Sequence, residues 1–441
     1  MTKTSKEESI NSPVRERARK IYQAGGLNEA LASGAVPKHM QITLSEALLL
    51  GLLKQGVRKY FAIFGHGSTD LGEILRIYEE EGVTKTYNFR NEVEMAHAAT
   101  ALKWCYGETP ALVTSIGPGA LQSMAGSLVA SSNGVGLYHI YGDETTHGEG
   151  YNMQQIPKPE QGLYGRLTQV MGESYVMHTP EALRDALRRG TLRVNHPNKG
   201  GPFYLLLPLN TQPKSFLVNL AALPEKLRLP AVSVADTEAL KAAAELIRGY
   251  GKITIKAGGG CNGHDALITR LAEEIGAAVA LTPGSTGVIP DAHPQNMHVG
   301  GSKGSISGNF AMENGELIVV IGSRAVCQAD SSGTVYKSAQ AVININEDLS
   351  DVTHYNKTAA LPGDINRVVK QLLDYLDSSG GVDLASKQPW LSECLAKKQE
   401  WIDFKNDRFN AAPIFDEVWQ KPVLGQPTAI KIVADFAKEA G

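Results

Sequence analysis

The stretch Arg90-Asn91-Glu92, with His97-Ala98-Ala99 shortly after it, lies between two glycine-rich turns of the 441-residue chain. The first turn reads Phe64-Gly65-His66-Gly67, and the second reads Ser115-Ile116-Gly117-Pro118-Gly119. Each turn closes a short apolar run, which is typical of a strand that ends in a loop. The sequence therefore predicts that two strand ends of a parallel sheet flank one carboxylate. We interpret this as an arrangement that binds a cofactor.

Helical segments and short apolar strands alternate from Thr43 to Pro208 and again from Ile253 to Leu376. Such alternation is typical of parallel strands joined by crossover helices, so the sequence predicts an α/β protein with two doubly wound parallel-sheet domains. Residues 214–233 lose this periodicity and carry two prolines, which indicates a linker. The predicted parts are an N-terminal extension (1–37), a first domain (38–213), the linker (214–233), a second domain (234–377) and a helical C-terminal tail (378–441).

The composition excludes several classes of protein. Hydrophobic residues make up 42% of the chain and charged residues 20%, as in ordinary soluble globular proteins. A net charge of -3 argues against a surface that binds nucleic acid or an acidic membrane. The four cysteines are widely spaced without a CxxC pair, which favours reduced thiols over a disulfide or zinc framework. No apolar run reaches the roughly 18 residues of a membrane span, and we expect a cytoplasmic protein.

Glu92 has two interpretations from its local sequence. It stands where a helix begins, so its carboxylate could simply cap that helix and interact favourably with the helix dipole. Alternatively, it is a buried acid whose pKa is raised by apolar neighbours, so that it shares a proton with a heterocyclic nitrogen. The small residues at 96, 98 and 99 would let a flat ring or a neighbouring subunit approach closely.

The other candidate positions are equally open from local sequence. His66 is either a proton carrier or a histidine that is hydrogen-bonded within its turn. The turn at 117–119 is either ordinary turn chemistry or backbone that faces a ligand. Gly258-Gly259-Gly260 resembles a dinucleotide loop but lacks the full GxGxxG spacing. Gln155, in a loop after Gly142-Asp143-Glu144, could be an ordinary surface residue. Phosphate-loop, HExxH and GxSxG motifs are absent from the sequence.

Taken together, in this order and spacing, these segments resemble the thiamine-diphosphate-dependent enzymes of the acetolactate synthase superfamily, and look most like the trihydroxycyclohexanedione hydrolases. The resemblance covers about residues 40–441. The matching segments of the first domain are Phe64-Gly65-His66-Gly67, Asn91-Glu92, Met95 to Ala99, Gly117-Pro118-Gly119 and Gly201 to Pro208. Those of the second domain are Pro283 to Pro294, Ile321-Gly322-Ser323-Arg324 and Ile343-Asn344-Ile345-Asn346.

The resemblance implies roles for individual residues. In that family the glutamate that matches Glu92 bonds the pyrimidine N1′ of thiamine diphosphate and so activates the cofactor. The resemblance implies catalytic roles for Glu92, His66 and Gln155, of which Gln155 lies near a substrate-facing position. It implies that the cofactor contacts Gly65, Gly67, Glu92, Ile116, Gly117 and Gln122. The family's cofactor site forms between chains, so we expect a homodimer or higher oligomer through the pyrimidine-binding domain, which is the first domain.

Three features depart from the family pattern. Gly67 stands where the family has proline, and Gln122 stands where it has asparagine. The printed sequence contains no Gly-Asp-Gly motif, which in the family binds magnesium and the diphosphate together with a downstream asparagine. We therefore expect one subunit of a split enzyme, with the Mg²⁺ ligands on a separate subunit that carries the diphosphate-binding domain.

The expected reaction makes or breaks a carbon–carbon bond next to a carbonyl, in a 2-keto acid, an acyloin or a cyclic diketone. Lyase, transferase and carbon–carbon hydrolase chemistries all fit this description. FAD is not expected, because the glycine loop of the second domain is incomplete. Two alternatives stay open: a non-catalytic regulatory or scaffold homologue that kept the fold, and a fragment of a longer enzyme.

Overall fold

The computed structural model describes residues 3–148, 155, 162–234, 236–330, 334–353, 355 and 358–440. The chain divides into two compact units, residues 1–229 and 230–441. Each unit contains one six-stranded sheet, and all strand pairs within the two sheets are parallel. The predicted fold class, two doubly wound α/β domains, is therefore confirmed.

The first unit contains nine helices and eight strands among its described residues. In chain order they are α1 (Lys3–Gln23), α2 (Leu27–Ala32), β1 (His39–Thr43), α3 (Leu44–Lys54), β2 (Lys59–Ile63), α4 (Thr69–Glu80), β3 (Lys85–Asn88), α5 (Glu92–Tyr106), β4 (Ala111–Thr114), α6 (Pro118–Gly126), α7 (Leu128–Asn133), β5 (Tyr138–Asp143), α8 (Leu163–Met171), β6 (Glu173–Val176), α9 (Leu183–Val194), β7 (Phe203–Pro208) and β8 (Ser215–Asn219).

The sheet of the first unit has the strand order β3-β2-β4-β5-β7-β6. Its central strands β4, β5 and β7 are buried along their whole length, because helices cover both faces. This burial explains why the sequence shows these strands as continuous apolar runs rather than as alternating patterns. The helical segment after β4 is divided at Ser127 into α6 and α7, and the Ser127 hydroxyl hydrogen-bonds the Tyr204 hydroxyl at 2.5 Å.

Two segments outside the predicted first domain pack into the first unit. The helix α1 contributes buried Ala18 and Ile21 to the same hydrophobic core as the sheet. Within the predicted linker, β8 pairs antiparallel with β1. The sequence of β8 does not show the apolar pattern of a strand, because only Val218 of its five residues is buried.

The second unit has the strand order β11-β10-β9-β12-β13-β14, and its described elements end in a hairpin and a helix. The elements are α10 (Thr237–Gly249), β9 (Ile253–Ala257), α11 (Asp265–Ile275), β10 (Ala278–Leu281), β11 (Asn296–Val299), α12 (Ile306–Asn314), β12 (Leu317–Ile321), α13 (Cys327–Asp330), β13 (Ala341–Asn346), α14 (Leu349–Val352), β14 (Thr358–Pro362), α15 (Ile365–Ser378), α16 (Gln388–Phe409), β15 (Ile414–Asp416), β16 (Lys421–Val423) and α17 (Gln426–Ala440).

The helix α16 is fixed to the second unit by a few buried contacts. Trp390 is buried, and its indole N–H donates to the Ile253 carbonyl at 2.9 Å. The ammonium group of Lys398 donates to the carbonyls of Asp291 and His293. By contrast, α17 buries none of its residues. Among the described residues, no helix is both long enough and apolar enough to cross a membrane.

Candidate active site

The strand order of the first sheet creates a crevice at its carboxyl edge. The chain places β3 on one side of β2 and then returns to place β4 on the other side. Ligands of doubly wound sheets bind at such a reversal of strand order, outside the carboxyl ends of the strands. The two glycine turns directly follow β2 and β4, so both lie at this crevice.

The backbone holds the two turns against each other. The Ile116 N–H donates to the His66 carbonyl at 2.9 Å. A Cβ built on Gly65 would lie only 2.9 Å from the Cβ of Ser115, so this position requires glycine. The His66 side chain is half-buried beside these contacts. The structure thus brings together the predicted residues Gly65, His66 and Ile116.

Gly67 fixes the first turn onto β5. Its φ of 85° lies in the left-handed region that favours glycine, and a Cβ there would lie 3.0 Å from the Cα of Gly142. The Gln212 side-chain N–H₂ group donates to the Gly67 carbonyl at 2.7 Å. The carboxyl ends of β2, β4 and β5 are therefore joined into one rigid rim.

Glu92 does not cap helix α5, because Asn91 does. The Asn91 side-chain oxygen accepts hydrogen bonds from the Val93 and Glu94 N–H groups at 2.9 and 3.1 Å. The Glu92 side chain is half-buried rather than fully buried, and it has no hydrogen-bond or ion-pair partner among the described residues. This carboxylate is thus available to a group from outside the chain.

Gly119 leaves one side of the Glu92 carboxylate without a neighbouring side chain. A Cβ built on Gly119 would lie 3.3 Å from Glu92 Oε1 and 2.7 Å from Ser115 Oγ. Since Gly119 has no side chain, the carboxylate oxygen is open on this side. A protonated ring nitrogen would supply the hydrogen bond that Glu92 lacks within the chain. This hydrogen-bond acceptor is therefore chemically suited to the protonated ring nitrogen of the pyrimidine of thiamine diphosphate.

Gln155 lies against the second turn. A Cβ built on Gly117 would be 2.8 Å from the Cβ of Gln155 and 3.2 Å from the Tyr164 hydroxyl oxygen. The Tyr164 hydroxyl donates to the Gln155 carbonyl at 2.7 Å. Gln155 is exposed and has a φ of 64°, in the left-handed region. Gly117 has a φ of 73°, so both its backbone conformation and its neighbour require glycine.

Two buried acids lie at the carboxyl end of β5, at the same edge. Asp143 and Glu144 are 1% and 5% exposed, and Glu144 accepts a hydrogen bond from the Gly162 N–H. Burial, together with the Glu144 charge, raises the pKa of Asp143 to about 7, although a hydrogen bond from the Glu144 N–H opposes the shift. Burial, together with the charges of the same two acids, raises the pKa of Tyr164 above its ordinary value. Tyr164 therefore stays a hydrogen-bond donor at neutral pH.

Most of the predicted site residues lie in or against the two turns, and Gln122 lies on the helix that begins in the second turn. Gln122 is exposed on α6, about one helical turn after Pro118. Sequence analysis missed Asp143, Glu144 and Tyr164. The first two could have been found, because they stand at the end of an apolar strand, at the edge where functional groups of parallel sheets collect. Nothing in the local sequence distinguishes Tyr164.

The glycine triplet of the second unit serves packing between two loops. A Cβ on Gly258 would lie 2.6 Å from the Cα of Ser323, and one on Gly260 would lie 3.0 Å from the Cα of Gly322. The Gly258 and Gly260 N–H groups donate to the carbonyls of Ile321 and Gly322. These contacts account for glycine at positions 258 and 260.

Comparison with known families finds one matching family model within each of the two units. Residues 42–162 match the N-terminal TPP binding domain of thiamine pyrophosphate enzymes, and residues 240–372 match their central domain. Together the two matches span more than half of the chain. The chain belongs to the thiamine pyrophosphate enzymes. The predicted membership is confirmed, and thiamine pyrophosphate, also called thiamine diphosphate, is the cofactor of this family.

The relatives of this chain carry the names of more than one thiamine pyrophosphate enzyme. A 3D-(3,5/4)-trihydroxycyclohexane-1,2-dione hydrolase of Geobacillus thermodenitrificans is 25% identical over 370 residues, which cover 78% of this chain and 55% of the relative. A probable acetolactate synthase large subunit of Methanocaldococcus jannaschii is 24% identical over 389 residues, which cover 86% and 63%. The chain thus spans less than two thirds of the length of these relatives.

Proposed function

We propose that this chain provides the pyrimidine-binding half of a thiamine-diphosphate site in an enzyme that makes or breaks a carbon–carbon bond next to a carbonyl. The substrate would be a 2-keto acid, an acyloin or a cyclic diketone. The observation that carries this proposal is the free, half-buried Glu92 carboxylate beside Gly119, with the helix-capping task performed by Asn91.

Each residue of the site has a distinct task in this proposal. When bound, thiamine diphosphate would supply a nucleophilic carbon and an electron sink. Glu92 Oε1 would accept the hydrogen bond of the protonated pyrimidine nitrogen and so hold a proton on that ring. The turns at 65–67 and 116–119 would contact the ring through backbone, while the half-buried His66 and the exposed Gln155 would face the carbonyl substrate.

The proposal is tested by Glu92→Gln, with Glu94→Gln as the matched control on the same helix turn. Glu94 is exposed, so its loss should leave activity unchanged. In the enzyme purified from its native cell, we expect Glu92→Gln to lower thiamine-diphosphate-dependent turnover by about 10² to 10⁴, the usual contribution of a proton-transfer group. The assembly of the complex, measured by size-exclusion chromatography, should not change. Equal turnover in both variants would contradict the proposal.

We further propose that a separate subunit carries the diphosphate-binding domain and the Mg²⁺ ligands. Among the described residues, no cluster of three or more His, Cys, Asp or Glu side chains could hold a metal ion. The apolar surface of the tail supports a protein partner, because α17 buries none of its residues and exposes Ile430, Ile432, Val433 and Phe436. Several large apolar side chains exposed on one helix are typical of an interaction site.

A second copy of the chain is also proposed as a partner, through helices α5 to α7. These helices expose the apolar side chains of Trp104, Leu121, Leu128 and Val129. Native mass spectrometry of the complex, purified from the cells that naturally produce this chain, tests for both proposed partners. A second protein with a Gly-Asp-Gly motif would support the split enzyme. A single longer polypeptide, or an assembly without cofactor-dependent activity, would favour the fragment or the scaffold alternative.

A further inference from the structure

Gln155 has a backbone conformation that needs support. Its φ of 64° is uncommon for a residue with a side chain, and conformations of this kind cost free energy that the surrounding structure must supply. Its carbonyl oxygen and its Cβ pack directly on Gly117, where an added Cβ would lie 2.9 Å from the oxygen and 2.8 Å from the Gln155 Cβ. The residue is nevertheless exposed, so packing into a core does not hold it.

Tyr164 provides a specific contact to this backbone. Its side chain is 4% exposed, and its hydroxyl donates to the Gln155 carbonyl at 2.7 Å while lying beside Gly117. The tyrosine itself is fixed, because α8 begins directly after Gly162, whose N–H donates to the buried Glu144 carboxylate. Hydrogen bonds thus connect Glu144, at the end of β5, to the start of α8, and Tyr164 of α8 to Gln155.

We propose that Tyr164 is a positioning residue that fixes Gln155 on the Gly117 turn, so that Gln155 is held at the rim where the carbonyl substrate would bind. This inference rests on the proposed function for the role of Gln155, but the contact itself does not. Because its hydroxyl donates to the Gln155 carbonyl, Tyr164 acts through Gln155 in this proposal. Its removal should change substrate binding more than cofactor binding.

The test is Tyr164→Phe, which removes only the hydroxyl group. Tyr175→Phe is the matched control, since the described part of the chain shows no hydrogen bond to the half-buried Tyr175 hydroxyl. Hydrogen–deuterium exchange of the full chain without cofactor comes first. We expect exchange in the peptide that contains Gln155 to rise roughly threefold to tenfold in Tyr164→Phe, the range for one lost hydrogen bond. Exchange in the peptide that contains residues 65–67 should not change.

The second readout is the kinetics of the assembled enzyme. The substrate is pyruvate, as the 2-keto acid probe, or the best substrate of a carbonyl panel. We expect KM for that substrate to rise several-fold in Tyr164→Phe, while the affinity for thiamine diphosphate stays unchanged. Equal exchange in Tyr164→Phe and Tyr175→Phe would overturn the positioning role. An exchange effect in a protein that does not respond to thiamine diphosphate would instead support the contact and refute the proposed function.

Discussion

At the scale of single residues, the division of tasks between Asn91 and Glu92 decides how the site is interpreted. Two adjacent polar residues at a helix start could each cap the helix. In the structure Asn91 satisfies two N–H groups of the first turn, which leaves the neighbouring carboxylate without an internal role. An unpaired carboxylate at the switch point of a doubly wound sheet is a candidate for ligand binding.

Asp143 makes the stability of the first unit depend on pH. Its pKa is raised to about 7 in the folded protein from an ordinary value of 3.8. Between these values the folded protein holds a proton that the unfolded chain has released. The contribution of protonated Asp143 to the free energy of unfolding is therefore complete below pH 3.8 and is lost as the pH rises through 7.

We expect Asp143→Asn to remove this pH dependence, because an amide does not titrate. Between pH 5 and pH 8 the free energy of unfolding of the wild type should fall by about 3 kcal/mol more than that of the variant. The value follows from about 1.4 kcal/mol per pKa unit. Denaturant unfolding at both pH values measures the difference. Asp185→Asn, on the exposed side of α9, serves as the control. Equal pH slopes in wild type and Asp143→Asn would contradict the assignment.

At the scale of elements, helix α1 is part of the first unit through a buried ion pair. The Arg17 guanidinium donates to both carboxylate oxygens of Glu46, with its Nε at 2.7 Å from Oε1. The side chain of Glu46 is 1% exposed and also accepts from the Tyr78 hydroxyl at 3.0 Å. Together with the packing of Ala18 and Ile21, this contact joins α1 to α3 and α4.

Arg17→Ala should therefore destabilise the first unit strongly. The substitution leaves a buried carboxylate without its charge partner, which costs about 3–5 kcal/mol in proteins. Arg19→Ala is the matched control on the same helix: the Arg19 side chain is 57% exposed, and its surface pair with Glu81 contributes at most about 1 kcal/mol. Denaturant unfolding of both variants measures the difference. A similar loss in both would show that α1 is held by packing rather than by the ion pair.

At the scale of the whole molecule, the tail after α16 has little core of its own. The short β15–β16 hairpin and α17 expose many large apolar side chains: Ile414, Phe415, Val418, Trp419, Leu424, Ile430, Ile432, Val433 and Phe436. Isolated two-stranded hairpins and single helices are only marginally stable in water. We therefore expect that this surface is covered in the active assembly.

Phe436→Asp tests whether the tail binds the proposed second subunit. Phe436 is 71% exposed in the chain, so the substitution should not disturb folding. Burial of one phenylalanine stabilises an interface by about 1.5–3 kcal/mol, so we expect at least about tenfold weaker binding of the partner. Val170→Asp, at an 82% exposed position of the first unit, is the control. Partner binding that is unchanged in Phe436→Asp, measured by titration, would exclude the tail as the contact.

Local sequence sufficed for the alternating elements and for most of the candidate site. The apolar runs before residues 64 and 115, and the glycines after them, predict both turns because strand periodicity and glycine conformation are local properties. The strand β8 could not be predicted in this way. Its pairing with β1 joins residues about 170 positions apart, and it buries only Val218. Contacts over such distances leave no periodic trace in a single sequence.

The sequence by itself determined the fold class and the family, and it predicted a functional carboxylate at position 92, because each depends on residue types at fixed spacing. Only the tertiary structure decided which residues meet. It joined the two turns through the Ile116–His66 hydrogen bond, gave the helix cap to Asn91 and brought Tyr164 to Gln155. The physical reason is that parallel strands bring distant segments to one edge of the sheet. The contacts made there depend on strand order and backbone geometry, neither of which a local pattern contains.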